Sequence, residues 1–510
     1  MHKNGNPSLE GMAGMSEKMF LFVNLAIDGG YQGVHHGIAS LVPVVRQFGF
    51  AVRAMNLTSH LSTEDFLARV ADIAPDVVGY SLTSLQQGYL QKFSMALRQH
   101  YPNLLQLAGG SGATLQPDMP GTGVDGFCLG EGETPLFQLL TTLASGGERL
   151  SVDGFHWHGP EGILRRPPTH FARDLDAFSF PDYSVFDLET VVFGSDASLS
   201  LILSRGCPYQ CTFCSNTALR SVYDTTRGYF RTPSVQHALA AIRHQLTCYP
   251  QVRFIHFEDD LLIARKSWFI DFAERYRLEI GLPYRMNVRT ECISLEIVTA
   301  LRESGCVMAF LGVESGNETY RRTMLKRNHT NRQILERSAL IKQANIKLFT
   351  FNIMGFPHES TEQMRDTLEL NRQIGPDTGV CTFFYPFPGT ELYDLCQREG
   401  LLPPEQDTPS QPTNYNTLPI IPGTLREKRA CVRMVQSLRQ YLYFQDLKHK
   451  MRLYRQTHSR ASSVFYFLRL FAFFLARTHI PQNTQRRLYS LFLQSQTLAP
   501  VTRRILQGIK

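Results

Sequence analysis

The sequence predicts an α/β protein in three parts: a doubly wound, Rossmann-like sheet, a partial TIM-type β/α barrel, and a helical C-terminal region. Two runs in which strand-length apolar segments alternate with amphipathic ones, over residues 19–147 and 196–400, predict the first two parts. Alternation of this kind builds parallel sheets covered by helices. The third part follows from the loss of that alternation over residues 401–510. At 510 residues the chain exceeds what one hydrophobic core supports, so several domains are expected.

The opening MHKNGNPSLEGMAGMSEK is polar, lacks the pattern of a secretory leader, and reads as a loose tail over residues 1–18. MFLFVNLAI, AVRAMNL, DVVGYSLTS, LLQLAGG and GFCLGEGE then read as strands, with helical stretches such as GIASLVPVVRQFG and TEDFLARVADIAP between them. Ligands of such a sheet bind beyond the carboxyl ends of the strands, here the turns at 28–37, 81–84, 109–114 and 130–133, which are rich in Gly, Ser and Thr. Residues 148–195 contain a hairpin-like stretch and many prolines and aromatics, as suits a linker. SLSLILSRG, VRFIHFEDD, YRMNVRT, VMAFLGVES, KLFTFNIMG and GVCTFFYPF are six further strands, and a barrel built from such units carries its site at the strands' carboxyl ends.

Just past the first of these six strands stands SRGCPYQCTFCSN, with Cys207, Cys211 and Cys214 spaced C-x3-C-x2-C in a chain of ten cysteines. Three thiolates on one loop can converge on a soft metal centre. Closed structural zinc needs a fourth ligand, and no other cysteine is near. A [4Fe–4S] cube held by three thiolates leaves one iron open to a cofactor or substrate. The other seven cysteines are scattered singly, unlike a secreted disulfide framework, and a reducing cytoplasm is the expected location.

C-x3-C-x2-C with Phe213 before the last cysteine resembles the radical S-adenosylmethionine (radical SAM) enzymes. The resemblance continues through HFEDD, the Arg of NVRTECIS, residues 312–330, NIMGFPHEST and PFPGTELY. It implies Cys207, Cys211 and Cys214 as cluster ligands and Phe213 near the adenine of S-adenosylmethionine. It further implies Glu258, Asp259 and Asp260 as acceptors for the ammonium, Glu314 for the ribose or ammonium, and Arg289 or Lys326 for the carboxylate. Each of these acids can alternatively cap the helix that follows its strand. In this family the reduced cluster cleaves the cofactor to a 5′-deoxyadenosyl radical. GYSLTS, LAGGSGATLQPD and VDGFCLGEGETPLFQLL in turn resemble the cobalamin (B12)-binding domain that precedes the barrel in one large subclass. That implies Ser81, Thr83, Gly109, Gly110 and Thr114 as cobalamin contacts. The D-x-H-x-x-G signature of the cobalt-ligating domains is missing; His35 and His36 stand at other spacing, so the lower face of cobalt is expected open or water-bound.

The net charge of +7 is unevenly placed. Residues 431–510 hold fourteen Lys and Arg against the single acid Asp446, and the first 430 residues hold 38 basic against 44 acidic residues. The basic character is local, which excludes a chain-wide nucleic-acid footprint. SVFYFLRLFAFFLA, flanked by arginines, is too short and too charged to span a bilayer. It reads either as an amphipathic helix packed on the barrel or as one resting on anionic lipid at the inner face of the membrane. The resemblance implies methylation of an unactivated carbon through methylcobalamin, or the radical ring closure or oxidation of a tetrapyrrole cyclase, on a small, lipid-like or tetrapyrrole substrate. A flavodoxin or ferredoxin is the implied electron donor. A methylthiotransferase would carry a second cysteine trio in its N-terminal domain, where this chain has only Cys128.

Overall fold

The computed structural model describes residues 18–27, 34–187, 197–224, 226–402 and 424–457. The chain divides into two compact units. The first comprises Met1–Ile27, Gly37–Thr169 and Pro181–Phe186, and the second Asp28–His36, His170–Phe180 and Asp187–Lys510.

The first unit is a seven-stranded sheet ordered β2-β1-β3-β4-β5-β6-β7. Its strands are β1 (Met19–Leu25), β2 (Ala51–Leu57), β3 (Val77–Ser81), β4 (Leu105–Gly109), β5 (Gly126–Cys128), β6 (Phe155–Gly159) and β7 (Gly162–Arg165). Its helices are α1 (His36–Arg46), α2 (Thr63–Ile73), α3 (Gln87–His100), α4 (Ser111–Leu115) and α5 (Glu133–Ala144). β1 to β5 are parallel, and β3 is buried along its whole length, as a strand covered on both faces must be. Leu21, Val23, Phe66, Val70, Leu90 and Phe93 form the core. Ser62 caps α2 by accepting from the Asp65 N–H, a contact worth about 1 kcal/mol. One correction concerns residues 148–195: the hairpin read as linker is the antiparallel edge of this sheet, β6 on β5 and β7 on β6. The reason is apolar. Trp157 is 1 % exposed, and its ring fills the space a side chain at Gly126 would need, 2.7 Å from the would-be Cβ.

The second unit is a six-stranded sheet curled into a half-barrel. β8 (Ser198–Leu201), β9 (Phe254–Phe257), β10 (Tyr284–Val288), β11 (Cys306–Glu314), β12 (Lys347–Met354) and β13 (Thr378–Phe383) lie in chain order and all pair in parallel. The helices are α6 (Ser215–Ser221), α7 (Val235–Cys248), α8 (Lys266–Glu279), α9 (Leu295–Glu303), α10 (Glu318–Thr323), α11 (Asn331–Gln343), α12 (Thr361–Ile374), α13 (Glu391–Arg398) and α14 (Leu425–Thr457). Their starts are written in the sequence. Ser234, Ser294, Asn317 and Thr390 cap α7, α9, α10 and α13, and Thr330 with Gln333 and Ser360 with Gln363 form capping boxes on α11 and α12. Burial alternates along β9, β10 and β12. The fully buried side chains, such as Phe257 against Phe272 and Tyr276, face the helices, and the half-exposed ones face the lumen.

α14 covers β13 and α12. Cys431, Val435, Leu438 and Leu442 pack on Met354, Met364, Leu368, Cys381 and Phe383, and Arg439 Nε donates to the Cys381 carbonyl at 2.7 Å. Among the described residues no helix is long and apolar enough to cross a membrane. Residues 463–476, read above as a packed or lipid-resting helix, lie outside the described residues. Leu438 is fully buried. Leu438→Ala should lower the urea midpoint by the equivalent of about 2–5 kcal/mol, measured by equilibrium unfolding; an unchanged midpoint would mean that α14 does not pack on β13.

Candidate active site

The cysteine loop is fixed before the first thiol is reached. Asp259, at the end of β9 and 2 % exposed, accepts from the Leu203 and Ser204 N–H groups and from the Ser204 hydroxyl. The chain leaving β8 is thereby tied to the neighbouring strand. Gly206 follows with φ +77°, where a Cβ would lie 2.7 Å from the Tyr229 carbonyl oxygen, so only glycine fits. Beyond the thiols, Thr212 Oγ1 donates to the Met324 carbonyl at 2.5 Å, and Phe213 packs edge-on against Phe356, with ring centroids 5.7 Å apart.

All three thiols are unbridged; Cys211 is buried and Cys207 and Cys214 half-buried. Burial pushes Cys207 up to about 11 against the Tyr209 N–H, with the charges of Asp260 and Cys211 adding to the rise. Burial likewise pushes Cys214 up to about 12, against the Asn216 N–H, with Cys211, Asp260 and Cys207 adding. Buried thiols so close together call for a cation, and Arg289 stands nearest: its Nη1 donates to Cys211 Sγ at 3.1 Å. The opposite edge of the guanidinium is held by Glu291 at 3.0 and 2.9 Å, and its face lies 3.7 Å from the Tyr209 ring centroid. Burial alone would raise Glu291, but the His329 hydrogen bond and the Arg289 charge outweigh it and hold the carboxyl well below its usual range.

The donor set fits a [4Fe–4S] cube in number and kind: three thiols on one loop, with N–H groups and a guanidinium to support thiolates. Among the described residues no group of three His, Cys, Asp or Glu is drawn together around a single metal ion. A cube asks for less convergence, since each thiolate takes its own iron.

The remaining residues implied for S-adenosylmethionine sort by what they touch. Asp259 is spent on the loop, so its carboxylate is a brace and not an open acceptor. Arg289 is spent on Cys211 and Glu291, not on a carboxylate ligand. Glu258 faces the lumen, where Ser200 Oγ donates to Oε1 at 2.8 Å, His256 Nδ1 lies 3.4 Å from Oε1, and His36 Nε2 lies 3.2 Å from Oε2. Asp260 is exposed and close enough to Cys207 and Cys214 for its charge to act on both. Glu314 ends β11 with φ +63°, a conformation that costs of order 1–3 kcal/mol. Its pKa is raised by burial, with Arg327 and Arg289 opposing the rise. Lys326 is directed elsewhere, to a half-exposed ion pair with Glu391 at 2.6 Å. Its neighbour Arg327, passed over in the sequence, is 5 % exposed, with Nη1 3.4 Å from Glu314 Oε1 and Nη2 donating to the Gly312 carbonyl at 2.6 Å. Lys326 itself has φ +52°, and that local reversal separates the two directions. His256 and Ser200 were also passed over, although strand alternation puts them on the face that Glu258 shares.

Glu359, in the turn before α12, accepts from the Gly355 and Phe356 N–H groups at 2.7 and 3.3 Å, while its Oε1 is buried without a hydrogen-bond partner. The stem of the residue is half-exposed, but the carboxyl is buried and is pushed up to about 8.

In the first unit the strand order reverses between β1 and β3, the switch point at which sheets of this kind open a crevice. Ser81 ends β3 and is buried, whereas Thr83 is exposed and its hydroxyl donates to Gln86 Oε1 at 2.5 Å. Thr114 Oγ1 accepts from the Gly130 N–H at 3.0 Å and so fastens two turns together. Gly110 has φ +92° and its would-be Cβ meets the Leu82 carbonyl oxygen at 2.6 Å; that of Gly112 meets Thr83 backbone at 2.5 Å. These two glycines let one turn close on the other. Gly109 alone keeps an open side, its nearest atom 3.9 Å away. His35 belongs to the second unit; burial, and then the His36 charge, push this half-buried side chain down to about 4.

Residues 25–140 match the B12 binding domain and residues 201–370 the Radical SAM superfamily. Over 377 residues the chain is 22 % identical to an uncharacterized methyltransferase of Pyrococcus horikoshii, covering 73 % of this chain and 80 % of that one. It is 22 % identical over 354 residues to an anaerobic magnesium-protoporphyrin IX monomethyl ester cyclase of Rubrivivax gelatinosus, covering 66 % and 61 %. Among solved structures, the cobalamin-dependent S-adenosylmethionine radical enzyme OxsB with aqua-cobalamin and S-adenosylmethionine bound shares the fold, with a TM-score of 0.65 at 14 % identity over 94 % of this chain and 75 % of that one.

Two outcomes are expected. Asp259→Ala leaves the Leu203 and Ser204 N–H groups without their acceptor, at about 1–3 kcal/mol each, and the iron bound per chain after anaerobic reconstitution should fall while the circular dichroism spectrum is retained; full iron loading would show that the brace is dispensable. Because the Glu359 pKa is raised, its contribution is complete at low pH and is lost as pH climbs from the ordinary carboxylate range through about 8. Urea midpoints recorded from pH 5 to 9 should therefore fall more steeply in wild type than in Glu359→Gln.

Proposed function

The chain belongs to the radical SAM enzymes that carry a B12-binding domain, and on that premise we propose that it is a methyltransferase acting on an unactivated carbon of a small or apolar molecule. The observation that carries this reading is the Cys207–Cys214 loop with Arg289 fixed on its middle thiol, at the carboxyl end of a parallel half-barrel, in a chain whose preceding unit has a switch point between β1 and β3. When bound, the cluster, S-adenosylmethionine and cobalamin supply the electron, the hydrogen-abstracting group and the methyl group.

The chain's own residues hold and orient. Cys207, Cys211 and Cys214 hold the irons as thiolates, and Arg289 offsets their charge. Glu258 offers a carboxylate to an ammonium. Glu314 and Arg327 set an acid and a base side by side at one strand end, the arrangement a zwitterionic amino acid requires. Phe213 gives an adenine ring an apolar neighbour. Ser81 and the open side of Gly109 line the crevice of the first unit for the cobalamin tail; Gly110 and Thr114 shape it. A small redox protein of the flavodoxin or ferredoxin class donates the electron, and the basic C-terminal region contacts an anionic membrane face.

Methyl transfer is favoured over ring closure because the relative named a methyltransferase is matched over most of its length. The cyclase reading remains the second one, since relatives of that name match two-thirds of this chain. The test is anaerobic incubation of the loaded protein with methyl-labelled S-adenosylmethionine and a reductant, beside the Cys207→Ala/Cys211→Ala/Cys214→Ala variant. S-adenosylhomocysteine with label retained on the cobalamin-bearing protein, and 5′-deoxyadenosine formed by wild type alone, is the expected result. 5′-Deoxyadenosine with no S-adenosylhomocysteine would overturn methylation in favour of a cyclase or oxidase.

A further inference from the structure

The lumen face of the half-barrel is divided by composition. On β8, β9 and β10 it presents Ser200, His256, Arg285 and Asn287, with Phe254 at the foot and Glu258 and Arg289 just beyond; on β11, β12 and β13 it presents Met308, Phe310, Phe349, Phe351 and Val380, with Lys347 at the foot and Thr378 beside Phe349. Of the polar half, Ser200, His256, Glu258 and Arg289 are committed to the site already described. The other half is a continuous aromatic wall: the Phe310 and Phe349 centroids are 5.0 Å apart, Phe349 and Phe351 5.0 Å, and Phe310 and Phe351 5.9 Å, while His256 joins it to the polar half at 5.4 Å from Phe310. Phe310 is already covered, at 8 % exposed, and Phe349 is half-buried; a phenylalanine left facing a lumen forfeits the gain of burial unless something apolar covers it. Phe351 is 37 % exposed, and it pairs in register with Gly312, whose carbonyl Arg327 holds beside Glu314.

At the amino-terminal end of the same wall, Arg285, Met308 and Lys347 lie in one register row across β10, β11 and β12. Arg285 Nε is buried without a hydrogen-bond partner, and its guanidinium lies 5.4 Å from the Phe254 ring centroid. Among the described residues neither Arg285 nor Lys347 has an acidic side chain in ion-pair reach. Two cations at the foot of an apolar wall ask for an anion on an apolar body.

We propose that the β11–β13 face is the substrate wall and that Arg285 and Lys347 anchor an acidic group of the substrate, which is therefore an apolar, ring-bearing or long-chain carboxylate or phosphate; this rests on the methyltransferase reading above. Four residues separate the Lys347 row from the Phe351 row, about 13 Å at about 3.3 Å per residue. The carbon that is methylated accordingly lies at least that far from the acidic group, at the cysteine end of the lumen. A short amino acid does not span this distance, whereas a polycyclic or acyl carboxylate does.

Two fluorescent probes test the proposal on the full chain without turnover: 8-anilinonaphthalene-1-sulfonate, an aromatic anion, and N-phenyl-1-naphthylamine, the same ring system without the sulfonate. Arg285→Gln/Lys347→Gln should raise the Kd of the anionic probe about tenfold and leave the neutral probe within about twofold. Phe351→Asp should weaken both. Phe349→Leu, a milder change, should weaken both to a smaller extent and serves if Phe351→Asp loses its native circular dichroism spectrum. Unchanged anionic-probe affinity in the double variant overturns the anchor, and indifference of both probes to the phenylalanine variants overturns the wall. Because binding is read without S-adenosylmethionine, either failure leaves the S-adenosylhomocysteine test of methylation standing.

Discussion

The buried carboxylate of Asp259 is the contact on which the rest of the site depends. A parallel sheet delivers each strand to one end and releases the chain there with its last backbone groups unsatisfied. At β8 that release would leave the Leu203 and Ser204 N–H groups bare beside the cluster loop, and Asp259 from the adjacent strand takes both. The direction of the chain into Gly206 and Cys207 is thereby set by β9, the strand that also carries Glu258 and Asp260 at its end. One strand terminus supplies the brace for the loop, a lumen carboxylate and the charge that acts on two of the thiols.

Charge is balanced around that brace in layers. Cys207 and Cys214 resist ionisation because burial and neighbouring negative charge act together, and a bound cluster would bring further charge of its own. Arg289 answers with a guanidinium held on three sides: by Cys211, by both oxygens of Glu291 and by the Tyr209 ring. A lysine at this position would offer a point charge without the flat face and the fork that make this seat possible. Farther along the sheet, Glu314 and Arg327 repeat the acid–base pairing in a buried setting.

Much of this was legible in the sequence, and the limits have physical causes. Strand alternation located β1 to β5 and β8 to β13 because apolar periodicity is a property of neighbouring residues. The cysteine spacing was legible for the same reason. Which of Glu258, Asp259 and Asp260 braces, faces the lumen or stays exposed was not, since three consecutive acids differ only in where the strand's end turns them. That Lys326 turns out to Glu391 while Arg327 turns in to Glu314 was not legible either, because a positive φ at Lys326 reverses the backbone there, and no periodicity reports that. The hairpin β6–β7 was read as a connection since its strands are short and pair only with each other and with β5. Gly109 and Gly110 were legible as a turn near a ligand, but the close neighbour of Gly110, and of Gly112 beside it, is the protein's own turn at 82–84.

The covering of β13 by α14 has a consequence for how the chain is made. Each of the six strands of the half-barrel pairs with its neighbours in sequence, so the sheet can grow in order of synthesis, each parallel pairing closing the loop of one crossover. The last face is the exception. Cys381 and Phe383 emerge roughly 60 residues before Leu442, some 3–12 s at about 5–20 residues per second. During that interval an apolar strand at the open end of a sheet has no cover from the chain itself. The helix that closes the fold therefore also closes the period in which the nascent protein is most exposed to misassembly.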